Sequence, residues 1–427
     1  PAFFIADWMG AIPLLLGIPL MQVIYFNIII WSIAFLGAAY LLLHQLRAPP
    51  SMTLFGAIFA YLELFSLLIR PVSMQIVFPF FLMALVAYAG WLYDPRSRGR
   101  QIFWGVTAAA AASLYTYSWQ IILVMFMVTG FVFLLIRRDQ LSSLILPFSL
   151  FALLIAPSIA MTVYQSSQPF YAETLTRIGL IKTHLPIFLG FVVPLVPLSI
   201  AFVAYLTKEK GVTLKAWLNE TATIFFGVTA VSVVGVMLSN IITGLDLELP
   251  QHIERFVIVW FAIATIYYAP TAWAYLRISR SFLMRGALVL LFVFIAVAHV
   301  RYFQGTGFIT VFAPHDIDYA REVQGVVAPL SWLRDNVKEP TVVWADPDGS
   351  VHKYLTMYTQ HYSLFHMGGI LHIISDREAE DRYLTSHYFS VNTESLIRDY
   401  RIYAGVGNAL HPYKTHNRKV FLCRAFH

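Results

Sequence analysis

Long apolar runs recur along most of this sequence, and they constrain its fold more than any other feature. An α-helix rises about 1.5 Å per residue, so about 20 apolar residues cross the hydrocarbon core of a bilayer. Ten stretches approach or exceed that length, at residues 14–43, 52–69, 72–93, 102–117, 119–136, 141–164, 186–206, 221–243, 255–275 and 286–303. Hydrophobic residues make up 59% of the chain and charged residues only 12%. We therefore predict an α-helical polytopic membrane protein with about ten transmembrane helices.

Lysine and arginine residues are distributed unevenly between alternate loops, which predicts the orientation. Short loops rich in Lys and Arg are retained on the cytoplasmic side. Twelve such residues lie in one set of loops: Arg47, Arg96, Arg98, Arg100, Arg137, Arg138, Lys208, Lys210, Lys215, Arg277, Arg280 and Arg285. The opposite loops and helix ends carry five: Arg70, Arg177, Lys182, Arg255 and Arg301. The first set is predicted to be cytoplasmic, with both termini on the outer side.

The sequence changes character after Arg301, where mixed charge replaces the long apolar runs. The segment TVVWA at 341–345 predicts a short buried strand, and 323–337 predicts an amphipathic helix. KVFLCRAF at 419–426 predicts a terminal strand, and DPDG at 346–349 a turn. We therefore predict a transmembrane helical domain over residues 1–303 and a small soluble α/β extracytoplasmic domain over residues 304–427.

Polar side chains within the predicted helices gather toward their outer ends. Ionisable groups are costly in hydrocarbon and often mark a functional site. Glu63 and Arg70 are seven residues apart, so they share one helical face and are placed to pair. Other polar residues in outer helix parts and loops are Asp7, Gln75, Tyr115, Tyr117, Gln120, Glu173, Arg177, Lys182, His184, Asn240, Asp246, Glu248 and His299. They predict an outward-facing polar cavity below the soluble domain; the alternative is that each side chain simply reaches the headgroup region.

The segment QHIERF at 251–256 places His252, Glu254 and Arg255 where an outer loop enters a helix. A guanidinium group binds phosphate through a fork of N–H donors, and a helix N-terminus adds further N–H groups. This segment therefore predicts a phosphate-binding site, with a solvated helix end as the alternative.

Several other chemistries find no support in the sequence. Cys423 is the lone cysteine, which excludes an intrachain disulfide and a cysteine-cluster metal site. The spacing of the histidines at 315, 352, 361, 366 and 372 fits no metal-ligand motif, and no metal ligand is assigned. No Gly-rich phosphate loop or nucleotide fingerprint is present, so an ATP-driven pump is unsupported.

Three stretches, together with the helical layout, resemble a known family. The most specific is SWLRDNVKEPTVVWADPDGSVHKYLTMYTQHYSLF at 331–365, followed by SLYTYSWQ at 113–120 and RPVSMQIVFPFFLMAL at 70–85. They resemble polytopic membrane glycosyltransferases of the GT-C type from bacteria and archaea. The resemblance implies transfer of a sugar from a polyprenyl-phosphate donor to an acceptor glycan, lipid or protein. It places the chain among the lipids of a prokaryotic plasma (inner) membrane, with no nucleic-acid partner.

The resemblance also implies roles for individual residues. Such enzymes carry an acidic motif in the first outer loop, whose carboxylate acts as general base or binds a metal, so a divalent cation (Mg²⁺ or Mn²⁺) is left open. This sequence begins at Pro1 without that loop, and we expect a preceding helix and an acidic outer loop to be missing. Asp7 and Glu63 are the carboxylates available as catalytic candidates. Arg255 would stabilise the departing phosphate. The other predicted substrate-binding residues are His252, Glu254, Arg70 and Tyr117.

Two further functions stay open at this point. The first is a transporter or flippase for a lipid-linked saccharide, although transporters usually show repeated halves and polar sites near the midplane. The second is a non-catalytic membrane subunit whose outer domain binds a partner.

Overall fold

The computed structural model describes residues 4–18, 20–69, 74–177, 180–186, 192–206, 212–246, 249–278, 282–309, 314–344, 351–363, 375 and 377–378. The chain divides into two compact units. The first comprises Pro1–Thr162, Pro186–Ser239 and Leu249–Val311, and the second Val163–Leu185, Asn240–Glu248 and Phe312–His427. The second unit thus includes two internal segments besides the C-terminal region that the sequence predicted as a separate domain.

Helices dominate the described chain. In chain order they are α1 (Phe4–Leu15), α2 (Leu20–Gln45), α3 (Pro50–Glu63), α4 (Phe65–Leu68), α5 (Met74–Tyr93), α6 (Arg98–Leu114), α7 (Thr116–Ile136), α8 (Ile145–Ser166), α9 (Tyr171–Arg177), α10 (Val192–Leu206), α11 (Leu214–Leu218), α12 (Thr221–Met237), α13 (Asn240–Thr243), α14 (Leu249–Ile278), α15 (Phe282–Gly305), α16 (Pro314–Asn336) and α17 (Val351–Tyr358). A 3₁₀ helix over Arg138–Leu144 leads into α8.

Six helical segments of the described chain are long and apolar enough to cross a membrane. They are Gln22–Gln45, Met74–Tyr93, Tyr117–Ile136, Arg138–Ser166, His252–Arg277 and Phe282–Gly305. Two shorter apolar helices cover Leu195–Leu206 and Thr221–Met237. The prediction of a multi-pass helical membrane protein is consistent with this architecture, and the described residues show six of the roughly ten predicted spans.

Two of the predicted spans are interrupted. Gly17 has a φ of 78°, a left-handed conformation that glycine adopts without steric cost, and it separates α1 from α2. The stretch 52–69 is broken at Leu64, between α3 and α4. The Thr306 hydroxyl donates to the carbonyl of Glu63 at 2.9 Å, which satisfies a backbone acceptor at this helix end.

The core of the first unit contains a cluster of large aromatic rings. Trp104 packs against Trp91 at 4.5 Å and stacks on Phe126 at 4.3 Å between ring centroids. Trp91 also stacks on Phe133 at 5.2 Å. Since lipid is as apolar as the helices, such packing is a main source of helix association in a membrane. The cluster joins α5, α6 and α7.

Arginine side chains link the helix ends at one end of the first unit. The Arg47 guanidinium lies 4.5 Å from the ring centroid of Tyr93, which joins the ends of α2 and α5. Arg100 donates to the carbonyl of Gly90 at 2.8 Å, and Arg137 donates to that of Leu92 at 3.2 Å. We call this the arginine end. It holds the C-terminal ends of α2, α5 and α7 and the N-terminal end of α6.

The second unit contains two small sheets. Strands β1 (Ile181–Lys182) and β2 (Leu245–Asp246) pair antiparallel, with Ile181 opposite Asp246. Strands β3 (Val342–Val343) and β4 (Tyr362–Ser363) pair in parallel, and β3 lies within the strand predicted from TVVWA. Helix α16 ends at Asn336, close to the predicted helix end. The predicted turn at 346–349 and terminal strand at 419–426 lie outside the described residues.

Candidate functional site

A buried carboxylate and imidazole form the first part of the site. Glu63, the last residue of α3, is fully buried, and its Oε1 accepts a hydrogen bond from His299 Nδ1 of α15. His299 Nε2 lies 3.1 Å from the Thr265 hydroxyl of α14. A histidine ring with both nitrogens engaged is held in one orientation. The three side chains therefore connect α3, α14 and α15.

Aromatic rings enclose His299 on two sides. Phe261 stacks on its face at a centroid distance of 4.1 Å, with 9° between the planes. Phe59 meets its edge at 4.9 Å and 74°. The two rings fill the space beside the imidazole and help to hold it in place.

The main chain beside Glu63 is bound to the end of α15. Ser66 donates to the carbonyl of Thr306 twice, from its N–H at 3.0 Å and from its hydroxyl at 2.7 Å. Within the described part of the chain, Glu63 Oε2 has no hydrogen-bond partner, and the same holds for the buried Tyr302 hydroxyl. The two groups are within electrostatic range of each other.

A second polar cluster lies where α6 turns into α7. The Tyr115 hydroxyl forms a hydrogen bond with His252 Nδ1 in the first turn of α14. Tyr117 stacks on the His252 ring at 4.5 Å and 10°. Tyr115 is fully buried and Tyr117 nearly so. The phrase SLYTYSWQ thus forms the connection between α6 and α7 and supplies two rings to His252.

Charged groups of α14 and α15 connect the two clusters. Glu254 interacts electrostatically with Arg301 and with Arg255. Tyr302 interacts electrostatically with Glu254, Arg301 and Glu63. Arg255 is partly exposed, and its guanidinium donates no hydrogen bond to any other residue that the structure describes. We call this assembly the polar end: it collects the C-terminal ends of α3, α6 and α15 and the N-terminal ends of α7 and α14.

The structure describes some of the predicted residues in full and others in part or not at all. The structure brings together six of them at the polar end: Glu63, Tyr115, Tyr117, His252, Glu254 and Arg255, with His299 and Arg301 beside them. Asp7 lies in α1, but its side chain is outside the described residues, as is that of Arg177 in α9. Arg70 and Glu248 lie outside the described residues altogether, and with Arg70 the predicted Glu63–Arg70 pair. The partner of Glu63 within the described residues is His299.

Other predicted outer-loop residues lie in the second unit. The Asn240 amide donates to the carbonyls of Thr183 at 3.2 Å and Leu185 at 2.7 Å. His184 Nδ1 is hydrogen-bonded to the carbonyl of Ile241 at 3.0 Å, and Lys182 lies on β1. The Asn240 and His184 contacts stabilise the turns around the β1–β2 sheet.

His361, one of the histidines in the C-terminal region, has a structural role. It is buried, and its Nδ1 accepts hydrogen bonds from the Thr341 N–H at 3.3 Å and hydroxyl at 3.0 Å. The contact joins the segments that precede β3 and β4.

The resemblance leaves open whether the protein binds Mg²⁺ or Mn²⁺. The grouping of possible ligand side chains tests this. Stable cation sites in proteins collect several oxygen or nitrogen ligands. Among the described residues no three His, Cys, Asp or Glu side chains converge on one point. The described side chains therefore do not form a site for a resident cation.

No protein-family model matches the chain, and no curated protein matches it significantly. The resemblance to GT-C-type glycosyltransferases therefore stays a prediction, which rests on the stretches at 331–365, 113–120 and 70–85 and on the helical layout.

Proposed function

We propose that this chain is a membrane glycosyltransferase of the GT-C type. It transfers a sugar from a polyprenyl-phosphate donor to an acceptor at the polar end, on the outer face of a prokaryotic plasma membrane. The C-terminal domain lies on that same face. The observation that carries the proposal is the Arg255 guanidinium, which is partly exposed and has no hydrogen bond to any described residue at the end of an apolar helical unit.

An arginine in this position suits a lipid phosphate for two reasons. Its planar fork of five N–H donors matches phosphate oxygens, and its charge is permanent. The apolar faces of the transmembrane helices accept a hydrocarbon tail in the membrane. A lipid phosphate therefore meets both requirements, a cation at the end of the unit and apolar surface along it.

In the proposed reaction an acceptor hydroxyl attacks the sugar C1 and the lipid phosphate leaves. Negative charge grows on the phosphate as the C1–O bond breaks, and Arg255 stabilises it. His252, held by Tyr115 and Tyr117, lies one helical turn before Arg255 and lines the same side of α14. Glu254 holds the guanidinium groups of Arg255 and Arg301 in place through its charge.

Glu63 has a different part in this proposal. Its carboxylate is fully buried and bound to His299, so it does not touch an acceptor in the described arrangement. We assign it as a positioning residue that fixes the end of α15, where Arg301 and Tyr302 lie. Asp7 of α1 is then the remaining candidate among the two predicted for the general base.

Arginine substitutions test the proposal directly. The chain is reconstituted in vesicles with a radiolabelled polyprenyl-phosphate sugar and the membrane extract of its host as acceptor source. Arg255→Ala is expected to lower sugar transfer by roughly 10²- to 10³-fold, the effect of removing one donor to a developing anion. Arg255→Lys is expected to restore only part of the rate, because it keeps the charge and loses the fork.

Arg277 supplies the matched control. It lies on the same helix at its other end, where its guanidinium is 5.2 Å from the ring centroid of Trp273. Arg277→Ala is expected to leave transfer unchanged at equal protein level. Transfer that survives Arg255→Ala at the wild-type rate would remove Arg255 from the site and leave the proposal without support.

One observation favours the lipid-linked saccharide transporter or flippase as a second candidate. Helix α3 ends at a buried ionisable residue, Glu63, and the chain restarts as α4 after Leu64. Interrupted helices with buried charge are typical of transporter sites. Vesicles without acceptor separate the two functions, since a flippase still moves the labelled lipid between leaflets and a transferase does not.

A further inference from the structure

A groove of about 290 Å³ opens between α7, α10, α11, α12 and α14 of the first unit. Apolar side chains form nearly all of its wall, among them Val128 and Val132 of α7, Ile200 of α10 and Val231 of α12. Gly227 also lines it, and a Cβ atom added there meets no other atom within 4 Å. We call it the α7–α12 groove.

One end of the groove lies at the arginine end. Ile136 and Leu218 line the groove, and the residues that follow them, Arg137 and Asn219, are hydrogen-bonded to each other through Nε and Oδ1 at 2.6 Å. Trp217 also lines the groove and packs edge-on against Tyr205 at 5.8 Å. Tryptophan, tyrosine and arginine are the residues typical of a membrane interface.

The Arg137 guanidinium has donors to spare. Its hydrogen bonds to described residues go from Nε and Nη2 to Asn219 and from Nη1 to the carbonyl of Leu92. These use three of its five N–H groups. Partial burial lowers the pKa of Arg137 from its ordinary value, but a guanidinium stays protonated in proteins.

We propose that the α7–α12 groove binds one acyl chain of a glycerophospholipid whose phosphate meets Arg137. Water cannot fill the groove favourably, because its wall offers too few hydrogen-bonding partners. The surrounding solvent of a membrane helix is hydrocarbon, so an acyl chain is the apolar molecule at hand. An anionic phosphate at the open end complements the remaining N–H groups of Arg137.

The position of the groove argues against the polyprenyl donor as occupant. The donor phosphate is proposed to bind Arg255 at the polar end, whereas the groove opens beside Arg137 at the arginine end. The two arginines mark opposite ends of the first unit. A lipid with its phosphate at Arg137 therefore belongs to the other leaflet. This step rests on the proposed donor site at Arg255, whereas the groove and its position beside Arg137 do not depend on it.

Photo-crosslinking in vesicles tests the occupant. The full chain is reconstituted in phosphatidylcholine that contains a trace of phosphatidylcholine with a diazirine on one acyl chain, and the labelled peptides are identified by mass spectrometry. Label is expected on the groove walls of α7 and α12. Gly227→Phe fills the groove with a phenyl ring. Labelling of the groove walls by the probe is expected to fall about tenfold or more in this variant, because the acyl chain loses affinity for the groove.

Gly286→Phe is the matched control, because Gly286 on α15 is also open to added atoms and lies away from the groove. It should retain the wild-type label. Val231→Trp fills the groove from an exposed position and provides a second variant should Gly227→Phe fold poorly. Unchanged label in whichever groove variant folds would overturn the proposal, as would displacement of the label by equimolar polyprenyl phosphate.

Arg137→Gln separates the phosphate contact from the apolar one. Label from the phospholipid probe is expected to fall several-fold in this variant, while label from a diazirine diacylglycerol, which lacks the phosphate, stays at the wild-type level. Arg96→Gln, at an exposed arginine of the neighbouring loop, controls for the loss of one positive charge. Equal loss with both probes would show a collapsed groove and contradict the role of Arg137.

Discussion

A carboxylate buried in an apolar helical unit is tolerated only when a partner side chain forms a hydrogen bond or an ion pair with it. At Glu63 that partner is His299, which is in turn held by Thr265 and the ring of Phe261. Removing one member of such a pair leaves the other buried and unpaired, which costs more than the pair itself contributes.

This asymmetry gives a prediction for Glu63→Ala. The substitution is expected to destabilise the protein by about 3 kcal/mol, since His299 loses its acceptor while remaining buried. Glu63→Gln is expected to cost less, because its amide oxygen still accepts a hydrogen bond. The free energy of unfolding in detergent micelles measures both effects.

A double-mutant cycle adds the control. Glu63→Ala made in a His299→Ala background should cost clearly less than in the wild type, because no unpaired imidazole remains. Arg96→Ala, which breaks an exposed ion pair with Asp139, should leave stability unchanged. Additive effects at Glu63 and His299 would show that the two side chains do not depend on each other.

The sequence identified most of these residues and missed their pairing. The sequence places Glu63 and His299 in the outer parts of predicted helices, and helical periodicity predicts a pairing of Glu63 with Arg70, which lies outside the described residues. The observed partner is 236 residues away. Periodicity reports which residues share one helix face, whereas contacts between helices depend on packing that a single sequence does not display.

Among the helices, the closest approach of α6 and α8 depends on one glycine. A Cβ atom on Gly105 would lie 2.8 Å from the carbonyl oxygen of Pro147 and 2.9 Å from Leu150 Cβ. The first contact is with backbone, which cannot rotate away. Small residues at such crossings allow helices in a membrane to pack closely.

Gly105→Ala is therefore expected to push α6 and α8 apart and destabilise the protein by roughly 1–3 kcal/mol, the usual cost of overpacking. Gly99, on the same helix, is the matched control, since an added Cβ there meets nothing within 4 Å. Gly99→Ala should be neutral or slightly stabilising because alanine favours helix. Unfolding in detergent compares the two, and equal stability of both variants would contradict the proposed close contact.

The sequence predicts the positions of the helices better than the breaks between them. Hydropathy located the apolar segments that became α5, α7, α8, α14 and α15. It did not show the break at Leu64, because the apolar stretch continues to Ile69 and the carbonyl at the end of α3 is satisfied by Thr306, a distant residue. Hydropathy reports whether a segment is stable in hydrocarbon. The end of a helix within such a segment depends on a hydrogen bond from a residue distant in the sequence.

The two ends of the first unit differ in the charged residues that they carry. Arg47, Arg100 and Arg137 gather at one end through contacts with α5, whereas Glu63, His252 and Arg255 lie at the other. A segregation of this kind fits the rule that Lys and Arg remain on the cytoplasmic side. The proposed orientation therefore places the polar end, and the phosphate site at Arg255, outside the cytoplasm.

Cysteine labelling tests that orientation in a Cys423→Ser background, which removes the native thiol. Ser97→Cys lies between α5 and α6 at the arginine end, and Ser167→Cys follows α8. The segment Arg138–Ser166, which comprises the 3₁₀ helix and α8, is long enough to cross the membrane, so its two ends are expected on opposite sides. In sealed right-side-out vesicles a membrane-impermeant maleimide should label Ser167→Cys at once and Ser97→Cys only after permeabilisation. The reverse pattern would place Arg255 in the cytoplasm, where a phosphate donor would have to be presented from the inner leaflet, and the proposed site of transfer would move with it.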